Sequence, residues 1–155
     1  MSKLLKLFVV LAAAALAFVV TPVANAEERT TFVTQLSAEN EIPGCPAGVE
    51  SGARGTAIIQ INAATGEISY HVVATNLPGT IRPGGLGSHI HIGDATQAGP
   101  IVQPFQLTGL NTGLVAAETA TNPELAAAIL ANPENYYVNV HTDVCPTGTI
   151  LGQLG

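Results

Sequence analysis

The chain has 155 residues, 47% of them hydrophobic and only 10% charged, and a formal net charge of −6. A length of this order suits one hydrophobic core rather than several. Its five basic residues are scattered, which excludes the clustered Lys and Arg that a nucleic-acid surface needs to neutralise phosphates.

Residues 1–26 carry the pattern of a cleaved secretory signal peptide. Lys3 and Lys6 supply a positive start, residues 7–20 are almost purely apolar, and Ala24-Asn25-Ala26 offers a small-x-small cleavage site. The apolar run is short of the roughly 20 residues that a spanning helix needs. The expected product begins at Glu27, is secreted or periplasmic, and keeps no membrane attachment. Both lysines leave with the leader, so residues 27–155 hold three arginines against eleven carboxylates, a formal charge of −8. Such a surface suits solubility or the attraction of cations.

The rest reads as one domain of short strands separated by turns. Residues 31–38 alternate, with Phe32 and Val33 on opposite faces. In 55–62, Ala57, Ile59 and Ile61 share a face. After a turn at 64–67, residues 68–77 put Ile68, Tyr70, Val72 and Ala74 on one face and Ser69, His71, Val73 and Thr75 on the other. This period of two is the strand signal. A Pro/Gly loop at 78–87 leads into Ser88-His89-Ile90-His91-Ile92, with Ile90 and Ile92 expected to face the core. Residues 93–100 form a loop, and 101–107 a strand that Pro104 confines to an edge or bulge. Residues 114–119 are a further strand.

One helix is signalled at 123–132. Asn122 caps it, Pro123 fits its first turn, Glu124 suits its positive end, and Pro133 stops it. Residues 135–142 and 148–154 are closing strands. The pattern predicts an all-β protein, an antiparallel Greek-key-like β-sandwich of about 7–8 strands with one short helix acting as a lid. Cys45 and Cys145 both lie in turn-like sequence. An even pair behind an export signal predicts a disulfide.

The stretches LSAENEIPG, GTAIIQIN…GEISYHVVATNL, SHIHIGDATQAGPIV and YYVNVHTDVCPTGTILGQL together resemble the CHRD domain. That domain was first noted in the developmental inhibitor chordin and occurs widely in exported bacterial proteins. The resemblance covers roughly residues 31–154. The family's usual Gly-Glu-Ile-Arg-Gly-Gln ending reads Gly148-Thr149-Ile150-Leu151-Gly152-Gln153 here, without either charged residue. Membership implies a β-sandwich, and by analogy with chordin an extracellular binding module without enzymatic activity whose partner is a protein or cell-surface ligand. A weaker similarity links the chain to copper/zinc superoxide dismutases, through a His-x-His strand, a later histidine and a late cysteine. Four histidines are too few for that dinuclear centre.

His89 and His91, two apart on a strand, point the same way about 6.6–7 Å apart. His141 shares its strand face with Asn139 and Tyr137 rather than with core residues. If the two faces meet, three imidazoles can hold copper or zinc with a position left open. Binding would then weaken below about pH 6.5, where an ordinary imidazole protonates. His71 is a weaker candidate for a fourth ligand. Asp94 and Asp143 follow the histidine strands and either orient imidazoles or cap turns. The competing reading is structural: His89 ties down the 83–87 loop and His141 pins the loop before Gly148. No catalytic residue, nucleophile pair or phosphate loop stands out. The functional expectation is thus an exported, non-enzymatic binding module, and its alternative is a mononuclear copper or zinc protein with at most weak redox activity.

Overall fold

The computed structural model describes residues 28–41, 44–49, 52–94 and 96–155. The leader expected at 1–26 lies outside the described residues. Eight strands are present among them: β1 (Arg29–Ser37), β2 (Arg54–Asn62), β3 (Glu67–Thr75), β4 (Ser88–Ile92), β5 (Ile101–Pro104), β6 (Gly113–Thr121), β7 (Tyr136–Val140) and β8 (Ile150–Gln153). One helix, α1 (Pro123–Ala131), precedes β7.

The strands form one antiparallel sheet in the order β5-β4-β7-β8-β1-β2-β3-β6. The sheet curls into a sandwich-like shape. One half, β1-β2-β3-β6, holds the long hairpins; the other, β5-β4-β7-β8, holds the histidines. A single pairing, Ser37 with Leu151, joins them. On the other side, Leu107 bridges Ala116, so the chain beyond β5 meets β6. The all-β class stands, but the two layers are one continuous sheet rather than two separate ones.

Alternation places the core. Ala57, Ile59 and Ile61 of β2 and Ile68, Tyr70, Val72 and Ala74 of β3 are buried, and they face Ile90, Val138, Val140 and Ile150 from the other half. Their register is direct: Ile59 lies opposite Tyr70 and Ile61 opposite Ile68. Burying each such side chain contributes roughly 1.5–3 kcal/mol. Ile92 departs from its expected place. It is 39% exposed, because it ends β4 beyond a register slip between Ile90 and His91 on the β5 side. Pro104 ends the edge strand β5, where a missing N–H breaks no ladder.

The β2–β3 turn is held by Asn62, whose Oδ1 accepts from the amides of Ala64 (2.9 Å) and Thr65 (3.1 Å). Gly66 follows at φ +70°, with Pro123 packed where a Cβ would stand. This seats α1 on the hairpin. Asn122 caps the helix by accepting from the Leu125 amide at 3.1 Å, and Leu125, Ala126 and Ile129 bury its inner side.

Cys45 and Cys145 form a disulfide across a sequence separation of 100. Beside it, Gly148 sits at φ +148° with the Glu41 carboxyl occupying the space of a side chain. Closing so long a loop stabilises the fold by about 4–5 kcal/mol on chain-entropy grounds. Cys145→Ser should lower unfolding free energy by roughly 2–5 kcal/mol in urea. The intact mass of the non-reduced wild type should fall two hydrogens short of the reduced chain; native protein that alkylates at both thiols contradicts the bond.

Candidate metal centre

The β4–β7 ladder brings the histidines together. His89 lies opposite Asn139 and His91 opposite Tyr137. Across an antiparallel pair such partners stand about 4.5–5.5 Å apart at Cβ, with diagonal neighbours also in reach. His141 follows β7 two residues after Asn139, so it is diagonal to His89. Val138 and Val140 take the core side, leaving Tyr137, Asn139 and His141 on the same outer face as His89 and His91.

That face is not open to solvent. Three loops cover it, and each gives one backbone carbonyl to one imidazole. His89 Nδ1 bonds Gly85 O at 2.7 Å, His91 Nδ1 bonds Gly99 O at 2.6 Å, and His141 Nδ1 bonds Pro146 O at 3.1 Å. A carbonyl only accepts, so His89 and His91 donate from Nδ1 and, as neutral rings, keep a bare lone pair on Nε2, whereas His141 has an oxygen acceptor at each ring nitrogen, Pro146 O and Asn139 Oδ1. The Nε2 atoms of His89 and His141 meet. His89 Nε2 and His141 Nε2 are 3.0 Å apart, and Asn139 Oδ1 lies 2.9 Å from the latter. His91 Nε2 is buried with no hydrogen-bond partner among the described residues. One ligand atom from each histidine fits within 4.8 Å of the others.

The neighbours hold this arrangement. The Tyr137 ring stacks on His91 with centroids 4.7 Å apart. Its hydroxyl accepts from the Gly99 amide at 2.9 Å, fixing the loop whose carbonyl orients His91. Ser88 Oγ donates to Asn139 O at 3.0 Å. Asp94 caps its own loop through the amide and hydroxyl of Thr96, and Asp143 accepts from the Thr80 amide at 2.8 Å. Both aspartates therefore serve turns and touch no imidazole. His71 is exposed on β3, between Ile58 and Ala117, outside the histidine group.

The sequence model of the CHRD domain matches residues 32–154 of this chain. The chain belongs to the CHRD family. A search of curated proteins and a search of solved structures each gave no match. The histidine cluster therefore has to be read from this CHRD domain's own chemistry.

Burial dominates that chemistry. It pushes the His89 imidazole down to about 3 and the His141 imidazole to about 4, and it lowers His91 as well. Hydrogen bonds to the carbonyls oppose the shift and lose to desolvation. Burial thus favours the neutral form of His89 and His141 below the pH at which an ordinary imidazole protonates.

Sequence reasoning had no signal for Glu41. The residue is 8% exposed, its Oε1 has no hydrogen-bond partner among the described residues, and burial raises it to about 8.

These shifts act in opposite directions on stability. Between pH 6.5 and about 4 His141, and down to about 3 His89, bind a proton only when unfolded, so their contribution is complete above 6.5 and is lost as pH falls. The raised Glu41 binds a proton only when folded between about 4.5 and 8, so its contribution is complete below that window and is lost as pH rises through it. Each uncompensated proton changes stability by roughly 1.4 kcal/mol per pH unit. The metal-free protein should therefore be most stable near pH 6.5. Urea unfolding at about pH 5, 6.5 and 8 checks this, and Glu41→Gln should flatten the alkaline limb. A monotonic rise from pH 5 to 8 contradicts it.

Proposed function

We propose that this CHRD domain is an exported protein that binds one divalent transition-metal ion, copper(II) or zinc, through Nε2 of His89, His91 and His141. One observation carries the reading: each Nδ1 faces a loop carbonyl, and one nitrogen from each of the three rings lies within 4.8 Å of the others. Hydrogen bonding of the far ring nitrogen is how proteins orient metal-binding imidazoles. A tetrahedral ion with bonds near 2.0–2.1 Å needs nitrogens about 3.3 Å apart, and small ring movements reach that from the spacing described. Imidazole donors suit zinc and copper, with copper(II) the tighter of the two. Three protein ligands leave one position open.

Export fits the disulfide, which persists in oxidising compartments. No helix among the described residues is long and apolar enough to cross a membrane. N-terminal sequencing of protein recovered outside the cytoplasm should begin at Glu27; a product that retains residues 1–20 contradicts processing.

Titration of the metal-free protein with copper(II) and zinc at about pH 7.5 should give one equivalent. His91→Ala and His141→Ala should each weaken binding more than tenfold, since even loss of an outer-shell partner costs 10–100-fold. His71→Ala should change nothing. If neither ion binds the wild type, or both variants bind as tightly, the histidines serve only to anchor the three loops.

A further inference from the structure

We propose that Asn139 Oδ1 fills the fourth position of this metal centre, so that the ion is held by four atoms of the chain itself and keeps no place for a substrate. This rests on the three-histidine reading and adds the ligand that closes it.

The ladder places Asn139. It lies in β7 opposite His89 of β4 and opposite Leu151 of β8, so its backbone is paired on both sides. Ser88 Oγ adds a bond to its carbonyl. The alternation that sends Val138 and Val140 to the core sends the Asn139 side chain to the histidine face. There its Oδ1 stands 2.9 Å from His141 Nε2, which is itself 3.0 Å from His89 Nε2.

Electron-rich atoms thus crowd one buried spot. The neutral His89 ring donates from Nδ1 to Gly85 O, so its Nε2 carries a lone pair, and an amide oxygen carries two. Such atoms repel unless a cation stands among them. A proton on His141 Nε2 serves one of its two neighbours or is divided between them, whereas a metal ion bonds every donor at once. His91 supplies the remaining donor. Its Nε2 is buried without a hydrogen-bond partner among the described residues, and the ring belongs to the same ligand group. The spacings of 2.9 and 3.0 Å are close to the edge of about 3.3 Å that a tetrahedron with bonds near 2.0–2.1 Å requires.

Burial favours a closed site. His91 and His141 are each 8% exposed, Asn139 3% and His89 only 1%. An ion on three histidines alone needs a water or an outside molecule to complete its shell, and an amide oxygen already in contact with His141 removes that need. No carboxylate among the described residues joins the group. Zinc sites with four protein ligands are structural, and those with three keep water or substrate at the fourth. Three imidazoles and one amide oxygen therefore make a site that retains its ion and presents it to nothing.

The experiment uses the full exported chain loaded with one equivalent of copper(II) in deuterium oxide. Pulsed electron paramagnetic resonance then reads whether a water is bound directly to the ion. The wild type should show none. Asn139→Ala, which empties the fourth position, should show one bound water, a shifted copper spectrum and at least tenfold weaker copper binding. Asn139→Asp, which keeps an oxygen at that place, should bind copper at least as tightly as the wild type and should stay free of bound water. A directly bound water in the wild type overturns this inference alone, and that measurement stands even if Asn139→Ala does not fold. An Asn139→Ala variant with the spectrum and affinity of the wild type also overturns it, as does an Asn139→Asp variant that takes on water. A chain that takes up no copper overturns the metal reading and this inference together.

Discussion

Three hydrogen bonds between imidazole Nδ1–H groups and loop carbonyls set the rest of the histidine half. Each bond pairs a buried ring nitrogen and fixes a ring plane. Each also ties a loop to the outer face of β4 and β7. The loops then exclude water, and the exclusion keeps the imidazoles neutral. Neutral rings preserve the lone pairs that converge. Loop closure, protonation state and the shape of the cluster are thus one arrangement, and removing a ring disturbs all three.

Where a face of the sheet alternates cleanly, the sequence predicts the fold well. Ala57, Ile59 and Ile61 on β2, the Ile68-to-Ala74 face of β3 and the Asn122-Pro123 start of α1 all take the places that period and capping assign them. The joining of the two halves was not legible. It depends on Ser37 meeting Leu151, a pairing between distant segments that no local pattern encodes. Ile92 shows the limit of alternation at a strand end, where a register slip carries a core-type residue into solvent.

The site was legible in its side chains and hidden in its backbone. Strand geometry puts His89 with His91 and gives His141 a polar face shared with Asn139 and Tyr137. Gly85, Gly99 and Pro146 could not be picked out, because each contributes only a carbonyl oxygen and any residue has one. The sequence also framed loop anchoring and metal binding as rivals. An imidazole has two nitrogens, and here one anchors while the other remains available. Glu41 was invisible for a related reason: its burial follows from a side-chain-free Gly148 far along the chain. The interior thus holds basic and acidic groups alike in their uncharged forms, with no buried ion pair among the described residues to offset them.

Cys145 is the residue before Pro146 in the chain, and Pro146 O is the acceptor that orients His141. The covalent tie to Cys45 therefore lies one peptide unit from a ring of the cluster. The bridge adds a covalent tie to a loop that also holds itself through the Cys145 amide on Thr142 Oγ1 and the Gly148 amide on Cys145 O. The disulfide and the carbonyl that orients His141 belong to adjacent residues, Cys145 and Pro146. The disulfide and the orientation of one imidazole thus share a single short stretch of chain, residues 141–146.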